Sequence, residues 1–202
     1  MRSDPMFADL LDEFPELASE NVVIEKELYA HFGLLFFSFA LVEHSLINFA
    51  VFEAVGKGFQ NGAIRSRAEW ENTFDQNFNR AKSLSLGNLI KSVKSIPEIA
   101  SEIEEISAVK SNRDYFAHHF FRDEIAYFKS DQRGWLLLNK LRDVRHQTHN
   151  LEDLLKRKFD LMCKRFNLPR PTADQLASVL ADYEEDSMNA ASRGTVKFGW
   201  ES

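Results

Sequence analysis

The chain has 202 residues, 44% of them apolar, and a net charge of −6. That length can bury one sizeable core without a second domain, and the acidic balance argues against a general polyanion binder. A single cysteine, Cys163, excludes an internal disulfide framework, and no cysteine–histidine cluster offers zinc a ligand set, so no metal or cofactor is expected and a reducing cytoplasm fits best.

Residues 1–20 read as an acidic arm. Asp4, Asp9, Asp12, Glu13, Glu16 and Glu20 stand where a secretory signal would have a basic start and an apolar middle, so export is not expected. A long helix is predicted over 25–55, closed by Gly56-Lys57-Gly58 as a breaker. Its segment 28–42 is nearly free of polar groups. Glu43, His44 and Asn48 then interrupt it before the ~18 to 20 apolar residues that a membrane-spanning helix needs, so no membrane is expected. A helix apolar around most of its circumference is buried on most sides, and in a small bundle this points to a second subunit: a homodimer is expected. His31 on this helix reads as a satisfied core or interface residue.

Polar sequence dotted with aromatics follows over 59–82 and reads as a loop plus a short helix. Leu84, Leu86, Leu89, Ile90 and Val93 mark another short helix before Pro97. Ser95-Ile96-Pro97-Glu98 has the serine, early proline and returning carboxylate of a capped helix start. The helix it predicts runs over 97–121, with Ile99, Ile103, Ile106, Val109, Phe116, Ala117 and Phe120 at spacings of three and four. On this wheel Arg113 falls near the middle of the apolar arc, with Asp114 and His118 on its edge. A buried cation needs a partner, and Asp114 or Glu43 is the candidate.

Residues 124–138 predict either a small hairpin or a loop ending near Gly134. From about 139 to 166, Leu141, Val144, Thr148, Leu151, Leu155, Phe159, Met162 and Phe166 keep helical spacing until Pro169 and Pro171 end the run. His146 and His149, three apart on this helix, could bind a metal only with further ligands, and they read as exposed polar face. The expectation is thus an all-α fold: a bundle of four to five main helices over 21–168, with a hairpin or loop inserted before the last one. A tail over 169–202 would carry a short helix through Leu176, Val179, Leu180 and Tyr183 and then become mobile.

Charge is unevenly placed. Residues 133–170 hold ten basic against four acidic residues, whereas the arm and tail are acidic. Lys140, Arg142, Arg145, Lys156 and Arg157 are therefore candidates for contacting RNA, and the alternative is an exposed basic face that balances acidic segments elsewhere. Glu184-Glu185-Asp186 in the tail is a candidate cover for this helix.

The chemistry-bearing stretch is 110–121. RNA cleavage without a metal needs a group to take the 2′-hydroxyl proton, one to protonate the leaving 5′-oxygen, and a fixed cation on the phosphate. His118 can hold either protonation state near neutrality, and Arg113 keeps its charge and offers a planar fork to phosphate oxygens. Asp114, four residues before His118, can accept an imidazole N–H and fix its tautomer. Arg113 and His118 are five apart, which on a regular helix separates them by ~140° and ~7.5 Å. They meet only if the arginine bends across, the helix distorts, or a second subunit contributes. Asn112, Tyr115 and His119 are auxiliaries, with a solvent-facing amide, a packing ring and a surface imidazole as the plainer alternatives.

Lys110-Ser111-Asn112-Arg113-Asp114-Tyr115-Phe116-Ala117-His118-His119-Phe120-Phe121 resembles the signature of the HEPN superfamily, in which Arg is followed by a polar residue and, after four to six positions, by His. Leu84-Ser85-Leu86-Gly87-Asn88-Leu89-Ile90 is similar to the short Leu-Gly-x-Leu helix that often precedes the motif. Glu43-His44-Ser45-Leu46 is similar to the Glu-x-x-Leu of the long first helix. The resemblance spans about 25–166. It implies a helical bundle that dimerises with its two motifs facing each other. It also implies metal-independent endoribonuclease activity leaving a 2′,3′-cyclic phosphate, with Arg113 and His118 catalytic and Asp114 their polar companion. The expected partners are RNA, a second copy, and an antitoxin or regulatory protein, in a toxin or phage-defence setting. The alternative is a non-catalytic dimeric module that binds RNA, nucleotide or a partner protein.

Overall fold

A computed structural model of the chain describes residues 23–124 and 131–168. The chain divides into two compact units, Met1–Phe166 and Asn167–Ser202. The acidic arm, the tail helix with its acidic run, and residues 125–130 lie outside the described residues. The fold is all-α, and among the described residues there is no strand.

Helix α1 (Val23–Gln60) buries Leu28, Leu35, Phe39, Val42, Leu46 and Phe49, a spacing of threes, fours and sevens that keeps one stripe inward. Its main partner is α6 (Asp131–Arg165), which returns Leu141, Thr148, Leu151, Leu155 and Met162 to the same core. Ile24 approaches Gly134, Phe49 packs edge-on to Phe159 at 5.6 Å, and Gly56 meets Phe166. Each pair is separated by the same 110 residues, so α1 and α6 run parallel, side by side and in constant register. By length and composition alone α1 is long and apolar enough to cross a bilayer. One of its sides is occupied by α6.

The predicted breaker does not break the helix. α1 continues through Gly56 and Gly58 and ends at a turn where Gly62 takes φ 72°. The two earlier glycines permit close approach instead: a side chain on Gly56 would collide with the Phe166 ring, and a Cβ on Gly58 would lie 2.6 Å from Ile64 Cδ1.

Helix α2 (Arg67–Lys82) occupies the region read as loop plus short helix. The Ser66 hydroxyl accepts from the Glu69 N–H while the Glu69 carboxylate accepts from the Ser66 N–H, a complete capping box. Trp70, Phe74 and Phe78 stack in a row at four-residue spacing, and Phe74 packs edge-on to Phe52 of α1. Helix α3 (Leu86–Val93) forms where expected, with the Ser85 hydroxyl accepting from the Asn88 N–H.

The predicted start at Ser95 to Glu98 is a turn. A 3₁₀ segment (Ala100–Glu102) follows, and α4 (Ile103–His118) begins without a side-chain cap. The Glu98 carboxylate does not return to Ser95 because it is taken by Arg165, at 2.6 and 3.0 Å. The helix then breaks at His119 (φ −123°, ψ −35°) before the short α5 (Phe120–Glu124). The hairpin alternative for 124–138 is overturned over its second half: Arg133 to Leu138 already belong to α6, and Gly134 sits inside the helix, buried against Ile24.

Candidate functional site

The end of α4 is anchored by rings. Phe116 lies 6.5 Å from Phe39, Phe120 lies 5.7 Å from Phe32, and Phe121 lies 4.6 Å from Phe32. As residue number rises along α4 and α5 it falls along α1, so this arm runs antiparallel to both long helices. With Phe116 and Phe120 buried on either side of the break, Ala117, His118 and His119 face outward.

The His118 side chain is exposed and makes no hydrogen bond or ion pair among the described residues; its neighbour is the His119 ring at 6.5 Å. Arg113 is not buried as its place on the wheel suggested: its side chain is 39% exposed. A long aliphatic stem lets the guanidinium leave the apolar arc, and Nη1 donates to Asp114 Oδ1 at 3.1 Å. Asp114 does not hold the His118 imidazole. Its second oxygen accepts from Lys110 one turn earlier, a charge-assisted bond at helical i, i+4 spacing. The Lys110 hydrogen bond, followed by that from Arg113, holds the Asp114 carboxyl below its ordinary 3.8 despite opposing desolvation. Glu43 is half-buried on α1 and forms no ion pair with Arg113, so of the two candidate partners Asp114 is the one used.

The auxiliaries divide. Asn112 is half-buried on α4. His119 is engaged, its Nδ1 accepting from Arg122. Tyr115 is more than a packing ring: its hydroxyl donates to Glu124 Oε1 at 2.9 Å and accepts from Lys140 Nζ at 3.0 Å. These bonds fasten the break between α4 and α5 to α6. Glu124 was not legible as a partner, because it lies nine residues from Tyr115 across a helix break.

Four cations of the basic helix are paired with carboxylates of the bundle. Lys140 meets Glu124, Lys156 meets Glu152 and Asp153, Lys158 meets Glu102, and Arg165 meets Glu53 and Glu98. Of the five candidate RNA contacts, Lys140 and Lys156 are so engaged; Arg142 and Arg157 are exposed, and Arg145 is half-buried beside a groove. That groove, about 330 Å³, is lined by Leu34, Phe37 and Leu41 of α1 together with Arg145, His146 and His149. Phe37 is 62% exposed there. His31 is not the satisfied residue expected, since its Nδ1 is buried without a hydrogen-bond partner.

No protein-family model matches the chain, and neither curated proteins nor solved structures gave a significant match.

Proposed function

We propose that this chain is a HEPN-like, metal-independent endoribonuclease whose site is completed by two copies of the chain, acting as a toxin or in phage defence. The observation that carries the reading is the exposed, unpartnered imidazole of His118 at the last position of α4, on the same helix as the accessible guanidinium of Arg113. An imidazole with no intramolecular bond is available to substrate, and a guanidinium at the surface keeps donors for phosphate oxygens.

In this reading one His118 takes the proton from a ribose 2′-hydroxyl, and the 2′-oxygen bonds to the adjacent phosphorus. The bond from phosphorus to the 5′-oxygen breaks, and a protonated imidazole returns a proton to that oxygen. A 2′,3′-cyclic phosphate and a 5′-hydroxyl result. Arg113 stabilises the charge that builds on the non-bridging oxygens. Because α4 stays helical through His118, the two groups of one copy remain on diverging faces. Facing copies supply the second imidazole and the second guanidinium.

His118→Ala is expected to lower cleavage of RNA by at least ~100-fold, the ordinary worth of a proton-transfer group, while leaving the thermal melt unchanged. The assay uses protein purified free of contaminating nuclease, in the presence of a chelator. Full cleavage by His118→Ala refutes the proposal.

The second reading, a non-catalytic dimeric module that binds RNA, nucleotide or protein, is favoured by the pairing of Arg113 and Lys110 with Asp114, which occupies part of the guanidinium. In that case wild-type protein binds RNA without shortening it, and His118→Ala leaves binding unaltered.

A further inference from the structure

His149, Glu152 and Asp153 lie three and four residues apart on α6, so all three project from one face of the helix. One donor atom from each lies within 4.8 Å of the others. His149 Nδ1 is 3.7 Å from Glu152 Oε2, and His149 Nε2 is 3.6 Å from Asp153 Oδ2. These two distances belong to opposite nitrogens of one ring, and an ion takes only one of them, so the imidazole has to turn and present a single nitrogen to both carboxylates; a four-coordinate ion with bonds of about 2.0–2.2 Å would then hold the three donors roughly 3.3–3.6 Å apart.

A second observation concerns Glu152 alone. The residue is 3% exposed, and its Oε2 is buried without a hydrogen-bond partner. Such an atom is costly to leave unsatisfied. Lys156 explains why it points where it does: the ammonium takes Glu152 Oε1 at 2.6 Å and Asp153 Oδ1 at 3.4 Å. Each carboxylate thus gives one oxygen to Lys156 and turns the other towards His149. This is the arrangement of outer hydrogen bonds that orients carboxylate ligands around a metal.

We propose that His149, Glu152 and Asp153 bind a divalent transition-metal cation of the zinc class. One imidazole nitrogen and two carboxylate oxygens suit zinc better than calcium or magnesium, which favour all-oxygen sets. Three protein donors leave a fourth position for water. The sequence carried the signal as His149-x-x-Glu152-Asp153. The competing explanation of the same geometry is a protonated His149 paired with the two carboxylates. This proposal rests on α6 alone and is independent of the nuclease reading.

The test is calorimetric titration of tag-free, chelator-stripped full-length protein with zinc chloride, alongside thermal melts with and without the metal. One zinc per chain and a zinc-dependent rise in melting temperature are expected. His149→Ala and Asp153→Asn, both at side chains open to solvent, are expected to weaken binding at least tenfold and abolish the rise while keeping the metal-free melt. His44→Ala on α1 should bind as wild type. No zinc uptake, or uptake that persists undiminished in His149→Ala and Asp153→Asn, overturns the proposal and leaves the imidazolium pairing as the explanation.

Discussion

Gly33 and Gly56 occupy the same helix, yet replacing each by alanine is expected to act in opposite directions. Nothing lies within 4 Å of a Cβ on Gly33, and the residue is exposed, so Gly33→Ala gains helix propensity without a clash: about 0.5–1 kcal/mol of added stability. A Cβ on Gly56 collides with the Phe166 ring at the end of α6, and the strain of overpacking exceeds the propensity gain, for a net loss of about 1–2 kcal/mol. Urea denaturation of the two variants checks both signs. His31 gives a pH effect. Burial, then the positive field of Arg145, lowers its pKa below 6.5 in spite of Glu27. The unfolded chain therefore takes up this proton at a higher pH than the folded one. Stability from this residue is intact above 6.5 and declines as pH falls below it. His31→Gln is expected to flatten the loss of stability between pH 7 and 5; an unchanged slope assigns the acid sensitivity to other groups.

At the scale of elements, Arg165 ties three segments together: the end of α1 through Glu53, the turn before α4 through Glu98, and the last turn of α6. Glu53 and Glu98 are 13% and 9% exposed, so Arg165→Ala strands the Glu98 carboxylate in a poorly solvated place and leaves Glu53 with Lys57 alone. A loss of about 2–3 kcal/mol is expected, somewhat below that of a fully buried pair, measured by chemical denaturation. This clamp also shows where sequence reading stopped. Helices with apolar periodicity, such as 139–166 and 84–93, were legible because spacing alone records a buried face. The α2 region was not, since its surface is polar; its two signals, Ser66-x-x-Glu69 and the row Trp70, Phe74 and Phe78, are local and were there to be read. The false start at Pro97 has the opposite cause. Ser95 to Glu98 carries a capping pattern, but a cation 67 residues away claims its carboxylate, and no local rule sees that far. The candidate site divides in the same way. Arg113, Asp114 and His118 were identified from one stretch, and their placement on a single helix followed. That Asp114 pairs with Lys110 and not with His118 is a choice between two partners at i, i+4 spacing, which spacing leaves open.

On the scale of the whole molecule, the proposed two-copy site requires a surface on which copies meet. Leu34 and Phe37, 46% and 62% exposed, project from the α1 flank that borders the groove with His146 and His149. Exposed apolar residues clustered in this way suit association. Wild-type protein is expected to run as a dimer in light scattering at micromolar concentration, and Phe37→Glu to run as a folded monomer. A monomeric wild-type chain would remove the basis for a site shared between copies.

The constant offset of 110 residues between the two pillars has an outcome for how the chain is made. Because the long helices run in the same direction, a tight turn cannot join them, and the whole stretch from 61 to 130 must be threaded between their pairing. Until Leu141, Leu151, Leu155 and Met162 leave the ribosome, the stripe from Leu28 to Phe49 lacks the cover that α6 supplies and has only the partial cover of the intervening helices. Long-separated contacts of this kind slow the search for the native state and leave sticky surface in the open meanwhile. The nascent chain is thus expected to hold the α6-facing side of α1 open until the last long helix is made, and a chain truncated before 131 is expected to aggregate.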